Sequence, residues 1–269
     1  MDIFTKSTPR HTSDKSGPHA VRAPKTSELV ARELRRMIID GALAASEKLP
    51  TPTDLCVRFG VSVPTIREAV RILESDGLVD SRYGARIGIR ICRPGAETVA
   101  RPASLLLTLQ KASIADVLTA CVSVEVASVR MIAEKMTTDT RTHTEMASLH
   151  TILESNWLPA YESGDFPASL FEFHRELVRM ARSPTLLLLA DTLYQLLTPP
   201  AQQNWSDMVA SPLDALSYYK GVLGGSSELL TVLPTATPDT AAEFWTEHLE
   251  SHWATLFLHQ SPARLIAAW

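Results

Sequence analysis

Val61-Ser62-Val63-Pro64-Thr65-Ile66-Arg67-Glu68-Ala69-Val70, closed by Leu73-Glu74-Ser75-Asp76-Gly77-Leu78-Val79, decides how this chain is read. Ser62 ends a tight turn and caps a helix; Gly77 stops it. Pro64 is tolerated because it falls in the first turn, where its missing N–H has no intrahelical partner. Ile66, Val70 and Leu73 recur at helical spacing and form the face that packs on a scaffold. Thr65 and Arg67 fall on the other side. Such a helix can set its amino end in a DNA groove, with hydroxyls and free N–H groups toward phosphate and a guanidinium within reach of a guanine edge.

Two helices precede it. Leu29, Val30, Leu34, Met37 and Ile38 mark the first, with Ser27 as cap and Gly41 as stop. Thr51-Pro52-Thr53-Asp54 announces the second: cap, proline at the first helical position, acid at the third. Two short strand-like runs, Leu78–Arg82 and Ile87–Ile91, flank Tyr83-Gly84-Ala85-Arg86 and predict a β-hairpin. Glycine at its tip permits close approach, and Arg86 suits a narrow minor groove. From Glu97 onward the periodicity is helical throughout. The expected helices span 97–110, 113–136, 141–163, 167–182, 185–198, 212–231 and 239–258, which make an all-helical bundle.

Composition agrees. The 269 residues suffice for two domains, and the net charge of −4 conceals a division. Residues 1–93 hold 16 Lys and Arg against 11 Asp and Glu, whereas the remainder holds 10 against 19. A basic head on an acidic body points to a polyanionic partner for the head alone. The three cysteines are widely spaced and suit a reducing compartment. No apolar run suggests export or a membrane span, so a cytoplasmic location without membrane contact is expected.

Ser27 to Ile91 resembles the winged helix-turn-helix of the GntR family of bacterial repressors. The resemblance rests on Gly41 and Leu43, Leu49-Pro50, Gly60-Val61-Ser62, Thr65, Arg67-Glu68-Ala69, Leu73-Glu74 and Gly77-Leu78-Val79, all in the family's order and spacing. It implies an operator contact set of Thr51, Thr53, Ser62, Thr65, Arg67, Arg71, Tyr83, Gly84 and Arg86. Three departures stand out. Val63-Pro64 occupies the place where the family has arginine after the turn, Thr51-Pro52 replaces a Ser-Glu pair, and Ala45-Ser46 replaces Pro-Gly. The missing arginine removes a contact worth roughly 1–3 kcal/mol, so the operator is expected to differ from the family's usual one or to be bound more weakly.

The following region is similar to the FCD effector domain of the FadR branch of that family. Ile114-Ala115-Asp116-Val117-Leu118, Val124-Glu125 with Ala127, Phe173-His174-Arg175-Glu176-Leu177, Ala241-Ala242 and His248-Leu249 carry the likeness. It implies a small-molecule effector site at Glu125, His174, Tyr219 and His248, for an organic acid or acyl-type ligand, since the family binds a small carboxylate over a divalent metal. The family's divalent metal sits on one Asp and three His. Here Leu170 stands for the Asp, Tyr219 for the middle His, and Cys121 for an arginine, leaving His174 and His248 with His252 as a substitute ligand. A metal-free site is the expectation, the metal set being degenerate.

The expected organisation is a basic arm (1–25), the winged helix-turn-helix (26–93), a linker (94–103), the helical effector and dimerisation domain (104–260) and a tail (261–269). A homodimer would place two readers on a pseudo-palindromic double-stranded operator. The function so read is a transcriptional regulator, a repressor whose operator affinity a metabolite changes. Two alternatives remain: an effector-independent DNA-binding dimer, and a metal-dependent enzyme. The sequence holds no phosphate loop or nucleophile elbow. His248-Leu249-Glu250-Ser251-His252 lacks the glutamate that a zinc hydrolase places beside its first histidine, so an enzyme is not expected.

Overall fold

The computed structural model describes residues 24–44, 48–81, 88–136 and 138–257. The chain divides into two compact units, Met1–Arg93 and Pro94–Trp269. No described helix is long and apolar enough to cross a membrane.

The first unit contains α1 (Thr26–Ile39), α2 (Pro52–Phe59), α3 (Val63–Ser75), β1 (Val79–Asp80) and β2 (Arg90–Ile91). Val30, Leu34, Leu55, Ile66, Leu73, Val79 and Ile91 form its core. The cap of α1 differs from expectation. Ser27 is buried inside the helix, and the N-cap is Lys25, whose N–H donates to the Glu28 carboxylate at 3.1 Å. The cap of α2 follows the sequence: the Asp54 N–H donates to Thr51 Oγ1 at 3.2 Å, and Thr51 Oγ1 donates to Asp54 Oδ2 at 2.6 Å. α2 ends at Gly60, whose φ of 64° is the left-handed turn a glycine makes without Cβ strain.

The hairpin strands are shorter than predicted, pairing Val79 with Ile91 and Asp80 with Arg90. Residues 82–87, and with them the tip at Tyr83, Gly84 and Arg86, lie outside the described residues, as do the basic arm up to residue 23 and Ala45-Ser46. A feature unread in the sequence is the bridge from Lys48 to Arg90, continued by the Leu49 N–H donating to Ile89 O at 2.8 Å. The segment entering α2 is thereby pinned to the hairpin.

In the second unit the described helices are α4 (Glu97–Leu109), α5 (Ile114–Met136), α6 (Thr140–Thr151), α7 (Trp157–Ser163), α8 (Phe166–Met180), α9 (Pro184–Met208), α10 (Pro212–Val232) and α11 (Pro238–Phe257). α6 and α7 were read as one helix; a π-helical turn, Ile152–Asn156, joins them. α5 is the central strut, packed on α8, α9 and α11. Its buried line runs through Val117, Cys121, Glu125, Val129 and Ile132.

The main correction concerns α9. The sequence reading stops it at 198, before Pro199-Pro200, but the helix continues to Met208. An interior proline costs about 3 kcal/mol of helix stability. Burial of Ala201, Trp205 and Met208 beyond the prolines opposes that cost, and Asn204 Nδ2 donates to Leu256 O at 3.0 Å. Tertiary packing overrides the local preference.

Candidate DNA-reading helix and buried polar cluster

α3 presents its expected two faces. Ile66, Ala69, Val70 and Leu73 are buried, whereas Ser62, Arg67 and Arg71 are exposed and Thr65 is half-buried. The Ser62 hydroxyl does not cap the helix; its Oγ lies 3.0 Å from Thr65 Oγ1. Both hydroxyls therefore sit at the amino end, where main-chain N–H groups carry partial positive charge. Arg67 has no ion-pair partner among the described residues. Arg71 is tethered loosely to Glu68 at 3.4 Å, an exposed pair worth little. Thr51 is exposed but its hydroxyl serves the α2 cap, and Thr53 is exposed beside it.

The other end of α3 is fixed. Arg35 Nη2 on α1 meets Asp76 Oδ2 at 2.5 Å, with Nε at 3.1 Å. Ser81 Oγ, at the start of the hairpin, donates to Glu74 at 2.5 Å. Lys48, Thr51, Arg67, Arg71, Ser81 and Gly88 line one cleft of about 810 Å³ on this unit. The exposed amino end of α3 is thus held rigidly beside the hairpin, an arrangement suited to a major groove.

In the helical unit, residues assigned from the sequence fall into two groups. Glu125, fully buried on α5, is a structural node. Its Oε2 lies 2.7 Å from His174 Nδ1 on α8 and accepts from Trp245 Nε1 on α11 at 3.1 Å, while its Oε1 accepts from Tyr194 on α9 at 2.9 Å. Both oxygens are thus engaged. Burial, with the Glu125 charge adding to it, pushes the Tyr194 hydroxyl well above its ordinary pKa, and raises the neighbouring Cys121 thiol in the same way.

His174 presents its other nitrogen, Nε2, inward without a protein partner. His248 and His252, one turn apart on α11, have ring centroids 4.5 Å apart, and their Nε2 atoms are likewise buried and unpartnered. His252 is a core residue, only 6% exposed. Burial, reinforced by the neighbouring imidazoles, drives the pKa of His248 down to about 4 and of His252 to about 3. Tyr219 packs on Tyr161 and Phe166 at 4.7 and 5.3 Å; it is the preceding Tyr218 that stacks on His252 at 5.1 Å. Helical phase decides between the two tyrosines, and the sequence pattern alone did not resolve it.

Glu125 is committed to three donors, and Leu170, in place of the family's Asp, offers no oxygen. Among the described residues no three His, Cys, Asp or Glu side chains converge as an ion requires. The donor set does not fit the family's divalent site.

Comparison with known proteins gives a consistent result. The profile "Bacterial regulatory proteins, gntR family" matches residues 26–89. The HTH-type transcriptional repressor NanR of Cronobacter sakazakii is 28% identical over 250 residues, covering 90% of this chain and 91% of that protein. NanR of Salmonella schwarzengrund is 28% identical over 234 residues, covering 86% and 84% respectively. The solved structure of Streptococcus agalactiae GntR, 19% identical, aligns with a TM-score of 0.57 over 84% of this chain and 97% of that one, and so shares its fold. Residues 26–89 match the gntR family of bacterial regulatory proteins, and the chain is a DNA-binding regulator of transcription similar over most of its length to the NanR repressors.

Proposed function

We propose that the protein is a cytoplasmic, ligand-responsive repressor of the FadR type, acting as a homodimer on an inverted-repeat operator. The observation that carries the reading is α3, whose amino end is exposed with Arg67 unpaired while Arg35–Asp76 and the Glu74–Ser81 contact hold the rest of the helix. Arg67 reads a base edge. Ser62 and Thr65 meet backbone phosphates, and Arg71, Thr51 and Thr53 add contacts at the flanks. Tyr83, Gly84 and Arg86 serve as the minor-groove contact. The helical unit is the dimerisation and sensing part, with His174 and His248 among the effector contacts. An effector that favours one arrangement of the paired heads changes operator affinity by its differential affinity for the two states.

Fluorescence anisotropy with the DNA upstream of the protein's own gene tests this. Full-length protein is expected to bind an inverted repeat there in preference to random duplex. Arg67→Ala should lose about 10- to 100-fold of that preference, the equivalent of one bidentate base contact. Equal affinity of the wild-type protein for operator and random duplex refutes the reading.

A further inference from the structure

The buried polar cluster of the helical unit bears on the chemistry of its ligand, on the reading that this unit is the sensor. Three helices contribute side-chain atoms that are buried and have no hydrogen-bond partner among the described residues. They are His174 Nε2 on α8, Tyr218 Oη and Ser226 Oγ on α10, and His248 and His252 Nε2 with Trp253 Nε1 on α11. Ring contacts link them. His174 lies 5.1 Å from Trp253, His252 lies 4.5 Å from His248, and Tyr218 lies 5.1 Å from His252. Gly225, next to Ser226, sits so close that a Cβ on it would come within 2.0 Å of His248 Nδ1. Buried polar atoms in native proteins are satisfied as a rule, and a concentration of exceptions marks a place where something else supplies the hydrogen bonds.

The charges around the cluster narrow what that something is. No lysine or arginine among the described residues of the helical unit is buried. The half-buried ones are engaged elsewhere: Arg179 with Glu176, Arg182 with Asp139 and Glu145, and Lys135 with Ala181 O. The nearest ionisable acid is Glu125, which contacts His174 directly. A carboxylate placed here would therefore be desolvated with no lysine or arginine to pair with, at a cost of several kcal/mol. The ion that bridges a carboxylate to such a domain in the family does not fit these donors.

The hydrogen-bonding capacities point the same way. Nδ1 of His174 is engaged by Glu125, and its Nε2 is left over. Trp253 Nε1 only donates, whereas the hydroxyls of Tyr218 and Ser226 can serve in either sense and the imidazoles of α11 add further ring nitrogens. A hydroxyl group, donor and acceptor at once, satisfies such a mixed uncharged set. We infer that the cluster between α8, α10 and α11 takes an uncharged, hydroxyl-rich molecule, bound without a metal, and not the carboxylate that the family resemblance implies.

Matched pairs of sugars test this on the full-length protein. Glucose is compared with glucuronate, galactose with galacturonate, and N-acetylglucosamine and mannitol are added, each with and without zinc. Melting temperature and operator anisotropy are read on the same samples. A saturable rise in melting temperature is expected with at least one uncharged member, without zinc. Tyr218→Phe and His252→Gln should each weaken that response about tenfold, the loss of one hydrogen bond. A response to a uronate but not to its uncharged partner, a requirement for zinc, or no response to any member overturns the inference. Operator binding in the sugar-free samples separates the two claims: if it persists, only the ligand class has failed.

Discussion

Removing the Glu125 carboxylate offers a severe test of how the helical unit is held together. The group is fully buried and binds three donors, one each on α8, α9 and α11. In Glu125→Ala all three donors lose their acceptor inside the core. Each buried orphan costs about 1–3 kcal/mol, and the cavity adds to the sum. About 5 kcal/mol or more should go, comparable with the whole stability of many domains. Glu125→Gln is milder. Its carbonyl oxygen can keep His174 and Trp245, and its amide can donate to the Tyr194 oxygen. What is lost is the charge assistance on three bonds, about 1 kcal/mol each, partly offset because no charge is buried; a net loss of about 2 kcal/mol is expected. At roughly 2–4 °C per kcal/mol, the melting temperature should fall by about 4–8 °C. Urea and thermal unfolding, followed by far-ultraviolet dichroism at one protein concentration, measure both. If Ala and Gln lie within about 0.5 kcal/mol of each other, the carboxylate does not organise these helices.

Other substitutions probe the neighbouring atoms. Tyr218→Phe removes a buried hydroxyl that has no partner among the described residues and should leave the ligand-free protein equally or more stable, by up to about 1 kcal/mol in urea unfolding. A clear destabilisation would mean the hydroxyl is satisfied. Gly225→Ala forces a methyl against the His248 ring and should cost about 1–3 kcal/mol through overpacking, whereas Gly221→Ala, with open space around it, should not. Acid titration reads the histidine pair. The folded pKa values, about 4 for His248 and about 3 for His252, lie below the ordinary 6.5, so the unfolded chain takes up protons first as pH falls. Their contribution is undiminished above about pH 6.5 and is lost on going down toward pH 4 and below, with a slope of up to roughly 2.7 kcal/mol per pH unit. The His248→Gln, His252→Gln double variant should flatten that part of the stability curve; an unchanged slope would refute the assignment.

The reading head was legible because its information is local. Ile66, Val70 and Leu73 repeat on one face of α3, Thr51 and Asp54 stand at capping spacing, and Gly60 and Gly77 take up positive φ where the helices stop. Each signal lies within a few residues of what it determines. The end of α9 was misread for the complementary reason. Pro199-Pro200 is a strong local stop, and the burial of Trp205 that opposes it depends on helices elsewhere in the chain. The polar core was only half legible. His174 and His248 were found by resemblance, but the partners of Glu125 lie 49, 69 and 120 residues away, and neither Tyr194 nor Trp245 carries a local mark. That Tyr218 and not Tyr219 stacks on His252 is a matter of helical phase, about 100° per residue, which a likeness of spacing does not fix.

One carboxylate joining four helices also constrains how this protein can diverge. Positions 125, 174, 194 and 245 share a single hydrogen-bonding system, so replacing Glu125 strands the other three. Descendant sequences should keep all four or exchange them as a block, tyrosine and indole giving way to hydrocarbon when the acid goes. That joint inheritance would make the quartet a recognisable signature of one sensor lineage, written across 121 positions of chain.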